Sequence, residues 1–434
     1  MTVGACLARD QTPRRPDLPD GGDSAHGEHI ASKTFPLRLD RMWQATKSAA
    51  TARLTGESRA GVGQAEADRN EAAMSGTAGE TTAGSGSGTP AGATLAAVWP
   101  RVATVSTPLG AQWESLERGC VWFELVGRTQ LVVTGRDRQK FLHNFCTNDI
   151  KGLGLNRGCE AFITTIQGKL LAQVTAWNGP EELVLLGPAG QGPRLLKHLM
   201  KYHMNEELEL SDVTARRASL LLTGPGAERG CGELGLAALP AESGTQQAGV
   251  FEGHPLWIRR EEWLGRTAFE LTVPVEGLEG LRKGVAASAV AGGPELFEWL
   301  RIGAGFPWHG VDVDEGNLAQ EASRTAEAIH FRKGCYLGQE PIARIDALGH
   351  VNQSIRRLVV EGPEVPAMGA ELRSAEEVPR PAGRVTSVAR HPAGTGIQAL
   401  ALVRRGFELP GTRLQVACGG GWQPARVEWG DTAS

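Results

Sequence analysis

The sequence has no apolar run approaching 18 residues, so no membrane-spanning helix is expected. It has no C-x-x-C pair. Its seven cysteines, Cys6, Cys120, Cys146, Cys159, Cys231, Cys335 and Cys418, are odd in number, which argues against a complete disulfide framework and suits a reducing cytoplasm. Organellar import is the weaker alternative. Basic charge is not in excess: 45 Lys and Arg face 49 Asp and Glu, for a net charge of -4, so direct nucleic-acid binding is not expected. His309 and His330 lack a ligand partner at diagnostic spacing, so no metal site is expected. The Gly-rich run from Ser85 to Pro90 lacks the Gly-Lys-Ser/Thr ending of a phosphate loop and reads as flexible linker.

The first hundred residues are also poor in large apolar side chains. Such a segment cannot bury enough surface to offset its ordering entropy, so residues 1–100 are expected to be a disordered tail. Within it, Lys33 to Arg59 is basic and hydroxyl-rich like a transit peptide. A misassigned start codon accounts for the tail equally well.

Order is expected from about Ala103. Gln130–Gly135 reads as a strand, and Asp137 is placed to cap a helix bearing Phe141, Leu142 and Phe145. Ala161–Thr165 and Leu170–Trp177 read as strands joined by Gln167-Gly168-Lys169. Further strands and helices alternate up to about residue 348, which points to α+β layers. From about Ser354 short strands separated by Gly and Pro predict a small β-barrel, giving domains 1–100, 101–348 and 349–434.

The densest chemistry is Lys333-Gly334-Cys335-Tyr336-Leu337-Gly338-Gln339-Glu340, with a cation, thiol, phenol, amide and carboxylate in eight residues. Lys333 two residues before Cys335 would favour the thiolate. Cys335 is the candidate nucleophile or redox residue, with Lys333 as its partner. Taken alone, the run also fits a surface loop with an inert cysteine. Glu340 and Arg344 sit four residues apart, the spacing of a helical ion pair. Tyr336, Cys146 and Cys159 read as packing residues.

These stretches together resemble the YgfZ-type folate-binding proteins, relatives of the glycine cleavage T-protein (aminomethyltransferase). Lys333 to Glu340 matches the subfamily signature at every fixed position. Phe141-Leu142-His143-Asn144, Thr147-Asn148-Asp149, Gln167-Gly168-Lys169-Leu170, Leu300-Arg301-Ile302, Gly305-Phe306-Pro307 and Gly349-His350-Val351-Asn352 match weaker segments in the right order. The resemblance implies a ring of α+β subdomains around a central folate cavity, followed by the barrel. It implies a monomer that binds tetrahydrofolate or another reduced folate and serves iron–sulfur enzymes or their assembly proteins, including enzymes that modify tRNA. It places Arg301, Asn148, Lys169, Glu340 and Arg344 at the cofactor. Arg301 could hold a folate carboxylate through a bidentate fork, or form a structural ion pair.

Two departures bear on chemistry. Where T-proteins carry an Asp pair after the hairpin glycines, this chain has Ala172 and Gln173, and the carboxylate's help in aminomethyl transfer is lost there. Arg266 falls at the expected pterin-binding Glu, although Phe269-Glu270 is retained. A folate-dependent one-carbon transferase and a non-catalytic interaction module therefore stay open as alternatives.

Overall fold

Short apolar strands bounded by Gly, Asn and Asp give this chain its sheets, and the computed structural model describes residues 101–236 and 238–428. The expected tail lies outside the described residues. One large sheet is built from β1 (Arg101–Val102), β2 (Val121–Val126), β3 (Thr129–Thr134), β4 (Arg157–Thr164), β5 (Leu170–Asn178), β6 (Glu182–Gly187), β7 (Glu209–Asp212), β8 (Arg217–Thr223), β9 (Thr245–Phe251), β10 (His254–Glu261), β11 (Ala268–Pro274) and β12 (Val290–Ala291). Its order is β1-β2-β8-β11-β10-β9-β4-β5-β6-β3-β7, with β12 on β2. The two halves of this path meet at β4 and β9, which share the register pair Arg157 and Thr245.

Each half covers its own core. In one, Leu131, Ala172 and Leu185 pack against Phe141 and Leu142 of α2 (Arg138–His143) and Leu195 and Leu199 of α3 (Gly192–Met200). α1 (Leu109–Arg118) precedes them in the chain. In the other half, Leu222, Ile258 and Phe269 pack against Cys231 of α4 (Ala227–Glu233) and Leu281 and Val285 of α5 (Leu278–Ala286). Alternation along each strand aims every second side chain at these cores. The reverse face is therefore free to carry other chemistry.

Three helices follow: α6 (Pro294–Gly303), α7 (Thr325–Ala328) and α8 (Gln339–Leu348). Then β13 (Gln353–Val360), β14 (Glu371–Ser374), β15 (Pro381–Arg390), β16 (Ile397–Arg404), β17 (Arg413–Cys418) and β18 (Gly421–Val427) close into a barrel in the order β13-β16-β15-β14-β17-β18. The α+β layers and the C-terminal β-barrel expected from the sequence are both present. Among the described residues no helix is long and apolar enough to cross a membrane.

The barrel is fastened to α6 through buried charge. Arg301 is 1% exposed and donates to Glu298, to Phe306 O at 2.9 Å, to Asp312 Oδ2 at 2.6 Å and to Ser387 Oγ at 2.8 Å. Thr386 and Ser387 of β15 each donate to Asp312 Oδ1 at 2.6 Å. Burial opposes the Arg301 charge, but Asp312 and Glu298 outweigh it and hold the guanidinium protonated. The structural ion pair is thus the reading of Arg301 that the geometry favours.

Candidate functional site

The Lys333 to Glu340 run lies against the turn after α2 and the end of β4. His330 N donates to Thr147 O at 3.0 Å, and Leu337 N donates to Asn144 O at 2.9 Å. Thr164 Oγ1 donates to Leu337 O at 2.9 Å. Gly338 has φ 86°, and a Cβ there would run into Thr165 O and Thr164 Oγ1. Only glycine allows this approach of the run to the β4–β5 hairpin. α8 starts at the next residue.

Cys335 is exposed, as an accessible thiol requires. Lys333 departs from the expected role of thiolate partner to Cys335. It is 8% exposed, and its Nζ donates to His143 O at 2.6 Å, Cys146 O at 2.6 Å and Asn148 O at 2.8 Å. The ammonium also lies 4.8 Å from the Tyr336 ring centroid. Burial pulls its pKa down to about 8, with Cys146 and Asp149 pulling weakly the other way. Sequence spacing suggested an activating partner for Cys335; the side chain instead turns inward and ties the run to the 143–148 turn.

The other sequence candidates separate. Asn148 is half-buried, and its Nδ2 donates to Glu160 O and Glu327 O, both at 2.8 Å. Lys169 is exposed on the β4–β5 hairpin, with Nζ 3.3 Å from Gly316 O. Glu340 and Arg344 are exposed on α8. Arg301 is enclosed in its ion-pair cluster. The structure therefore joins Lys333 and Asn148 directly, and does not gather all seven candidates at one cavity.

A cleft does form on the reverse face of the sheet, lined by Arg128, Glu160, Gln173, Trp263, Phe306 and Trp308 among others. The aromatic rings make one wall: Trp263 lies 5.1 Å from Phe306 and 5.6 Å from Trp308 between centroids. Arg128 lies 5.9 Å from the Trp263 centroid. Its NH2 is 3.0 Å from Glu270 Oε2 and 3.9 Å from Glu261 Oε1.

Beneath that contact is a buried charge cluster with unfilled hydrogen-bonding capacity. Both carboxylate oxygens of Glu270, Glu261 Oε1, Arg128 Nε, and Arg259 Nε and NH2 have no hydrogen-bond partner among the described residues. Arg259 NH1 does donate to Thr272 Oγ1 at 2.8 Å. Burial first, and the Glu270 charge second, push the Glu261 carboxyl up to about 8. The pair thus holds a proton near neutral pH. Burial lowers Arg259 to about 10. Buried polar atoms without hydrogen-bond partners are costly, and this cluster reaches the cleft through Arg128, which lines it.

Glu160 connects the cleft to the run. Its carboxylate accepts from Arg324 NH2 at 2.7 Å and Arg324 Nε at 3.1 Å, and its backbone carbonyl accepts from Asn148. Gln173 Nε2 lies 3.4 Å from Glu160 Oε1, while Gln173 Oε1 accepts from His309 N at 3.1 Å. Arg128, Glu160 and Glu261 were not singled out from sequence, and Glu270 was noted there only as retained beside Phe269. A signal was present: Glu270 interrupts the apolar strand Ala268-Phe269-Glu270-Leu271-Thr272-Val273. Among the described residues no three His, Cys, Asp or Glu side chains are grouped to hold a metal ion.

Residues 85–329 match the family described as GCVT N-terminal domain. A chloroplastic protein of Arabidopsis thaliana, named as a transferase, is 24% identical over 295 residues, covering 67% of each chain. The aminomethyltransferase of Thermus thermophilus is 28% identical over 297 residues, covering 66% of this chain and 80% of its own. The tRNA-modifying protein YgfZ of Yersinia pseudotuberculosis is 26% identical over 248 residues, covering 56% and 72%. Among solved structures, aminomethyltransferase T of the glycine cleavage system from Bartonella henselae superimposes with a TM-score of 0.69 at 18% identity, covering 75% of this chain and 90% of that one. That likeness is one of fold.

Proposed function

The chain belongs to the GCVT N-terminal domain family, a YgfZ-type member of the aminomethyltransferase-like group, and on that premise we propose that it binds a reduced folate in the Trp263 cleft. The observation that carries this reading is the buried pair Glu261 and Glu270, ion-paired through Arg128 yet with oxygens that lack hydrogen-bond partners among the described residues, behind the aromatic cleft. A pterin presents adjacent N–H donors on its amino-pyrimidine edge, and a carboxylate accepts two parallel donors. Trp263, Trp308 and Phe306 supply ring faces. The donor set therefore fits a pterin. The free space is about 20 Å³, close to one water, so the ligand-bound form is more open. Bound, the folate would supply a basic ring amine able to carry a one-carbon unit. The chain's own groups would bind the ring and keep water from it.

The role of that binding is to support iron–sulfur enzymes, including ones that modify tRNA, with Cys335 presented outward on the Lys333 to Glu340 run. The match to a tRNA-modifying relative favours this setting. The chain would act as a monomer in the cytoplasm or, as the chloroplastic relative illustrates, in an organelle.

Calorimetric titration of the full chain with tetrahydrofolate tests the binding. Saturable heat is expected for wild type, with at least about tenfold weaker binding in Glu270→Gln, which halves the acceptor capacity. No binding at millimolar ligand would overturn the reading and favour a pure interaction module. For the cellular role, Cys335→Ser should bind folate yet fail to restore an iron–sulfur enzyme in cells lacking the endogenous protein.

A further inference from the structure

After the hairpin glycines the chain has Ala172 and Gln173, and the neighbouring strand supplies a carboxylate to the cleft. Ala172 is buried in the core, while Gln173 lines the cleft. Glu160 of β4 lines the same cleft. Glu160 pairs with Thr175 and Phe162 pairs with Gln173, so Glu160 and Gln173 are diagonal neighbours on one face.

The two oxygens of Glu160 are unequally used. Oε2 is held by Arg324 at 2.7 and 3.1 Å. Among the described residues Oε1 has only long contacts, 3.3 Å to Arg324 Nε and 3.4 Å to Gln173 Nε2. A carboxylate paired with a guanidinium accepts and does not donate. Oε1 is thus a positioned acceptor with capacity to spare, in a cleft walled by Trp263, Phe306 and Trp308. Asn148, by gripping the Glu160 carbonyl, fixes its strand against the Lys333 turn.

Resting on the folate reading above, we infer that Glu160 makes the cleft a reader of the ring's reduction state. Tetrahydrofolate carries N–H groups at N5 and N8, and the fully oxidised ring has bare lone pairs at both. The amino-pyrimidine donors are common to both forms and are assigned to Glu261 and Glu270. Only the reduced ring offers Glu160 a donor on its other edge. The oxidised ring meets that carboxylate lone pair to lone pair and leaves it unsatisfied, the kind of mismatch that discriminates strongly.

The test is anaerobic calorimetry of the full chain with tetrahydrofolate and with folic acid. Wild type is expected to prefer the reduced form by about tenfold or more. Glu160→Gln can donate as well as accept, so its preference should fall toward unity, with circular dichroism confirming the fold. Glu160→Asp should keep the direction of preference. If Glu160→Gln fails to fold, Glu160→Gln with Arg324→Gln removes both charges together and should show the same loss. A folded Gln variant that keeps the wild-type ratio would overturn the inference. So would wild type binding both forms equally, which leaves folate binding itself standing. Binding of neither form overturns the folate reading and this inference with it.

Discussion

Lys333 Nζ lies 2.8 Å from the carbonyl oxygen of Asn148, and the Asn148 side chain lies 2.8 Å from the carbonyl of Glu160. The run that carries Cys335 is thereby joined to the strand that carries the cleft carboxylate. Lys333→Ala would strand three carbonyls that an ammonium now satisfies. Charge-assisted bonds contribute about 1.5–3 kcal/mol each, and relaxation or water recovers part of that. A net loss of about 2–4 kcal/mol is expected, read as a lower urea midpoint. Because Lys333 is a tie, the variant should loosen the run and leave Cys335 alkylation at least as fast as in wild type. Slower alkylation would restore the thiolate-partner role.

The cysteines should label in an order set by burial. Cys335 is exposed, whereas burial pushes Cys120 up to about 11 and Cys146, Cys159 and Cys231 up to about 12. The thiolate is the reacting form. At neutral pH a limiting alkylating agent is expected to modify Cys335 before these four, followed by mass spectrometry over time. Equal rates at Cys335 and Cys146 would refute this.

Local signals were legible in the sequence, and partners distant in the chain were not. The hairpin Gln167-Gly168-Lys169, with Gly168 at φ 72°, and the barrel strands follow from turn residues and alternation. The exposure of Cys335 follows from its flanking glycines. The inward turn of Lys333 does not, since its acceptors are 185 to 190 residues away. Arg301 offered a fork for a ligand or an ion pair; the choice depended on Asp312 and on Ser387, 86 residues on. Glu270 was seen as a retained residue, but a carboxylate in an apolar strand does not say which face receives it. Only the pairing of Glu270 with Arg259 across β10 and β11 places it in the interior.

Arg301 supplies a third prediction. Arg301→Met would leave Glu298 and Asp312 buried without their cation. Breaking a buried pair from one side typically costs about 3–5 kcal/mol. Thermal and urea unfolding should show that loss. Folate affinity of the folded fraction should stay within about threefold, because the guanidinium is enclosed by protein partners. A large affinity loss with unchanged stability would return Arg301 to the ligand site.

The last prediction concerns pH, where two buried groups oppose each other. Burial lowers His309 from 6.5 to about 4, with Arg194 contributing. The unfolded chain binds that proton more readily, so the His309 contribution is present above pH 6.5 and is lost as pH falls toward 4. Glu261 is raised from 4.5 to about 8. Its folded form holds the proton more tightly, so its contribution is present below pH 4.5 and is lost as pH rises through 8. Each changes stability by about 1.4 kcal/mol per pH unit within its window. Between pH 4.5 and 6.5 the two slopes cancel, and from 6.5 to 8 only the Glu261 loss remains. Glu261→Gln should therefore gain in stability relative to wild type as pH rises from 4.5 to 8. His309→Gln should lose relative to wild type as pH rises from 4 to 6.5, because it lacks the histidine's increase. Urea midpoints at half-unit pH steps read both differences. If either variant merely parallels wild type across its window, that group is not the one titrating, and for Glu261 the proton assigned to the buried carboxylate pair is misplaced.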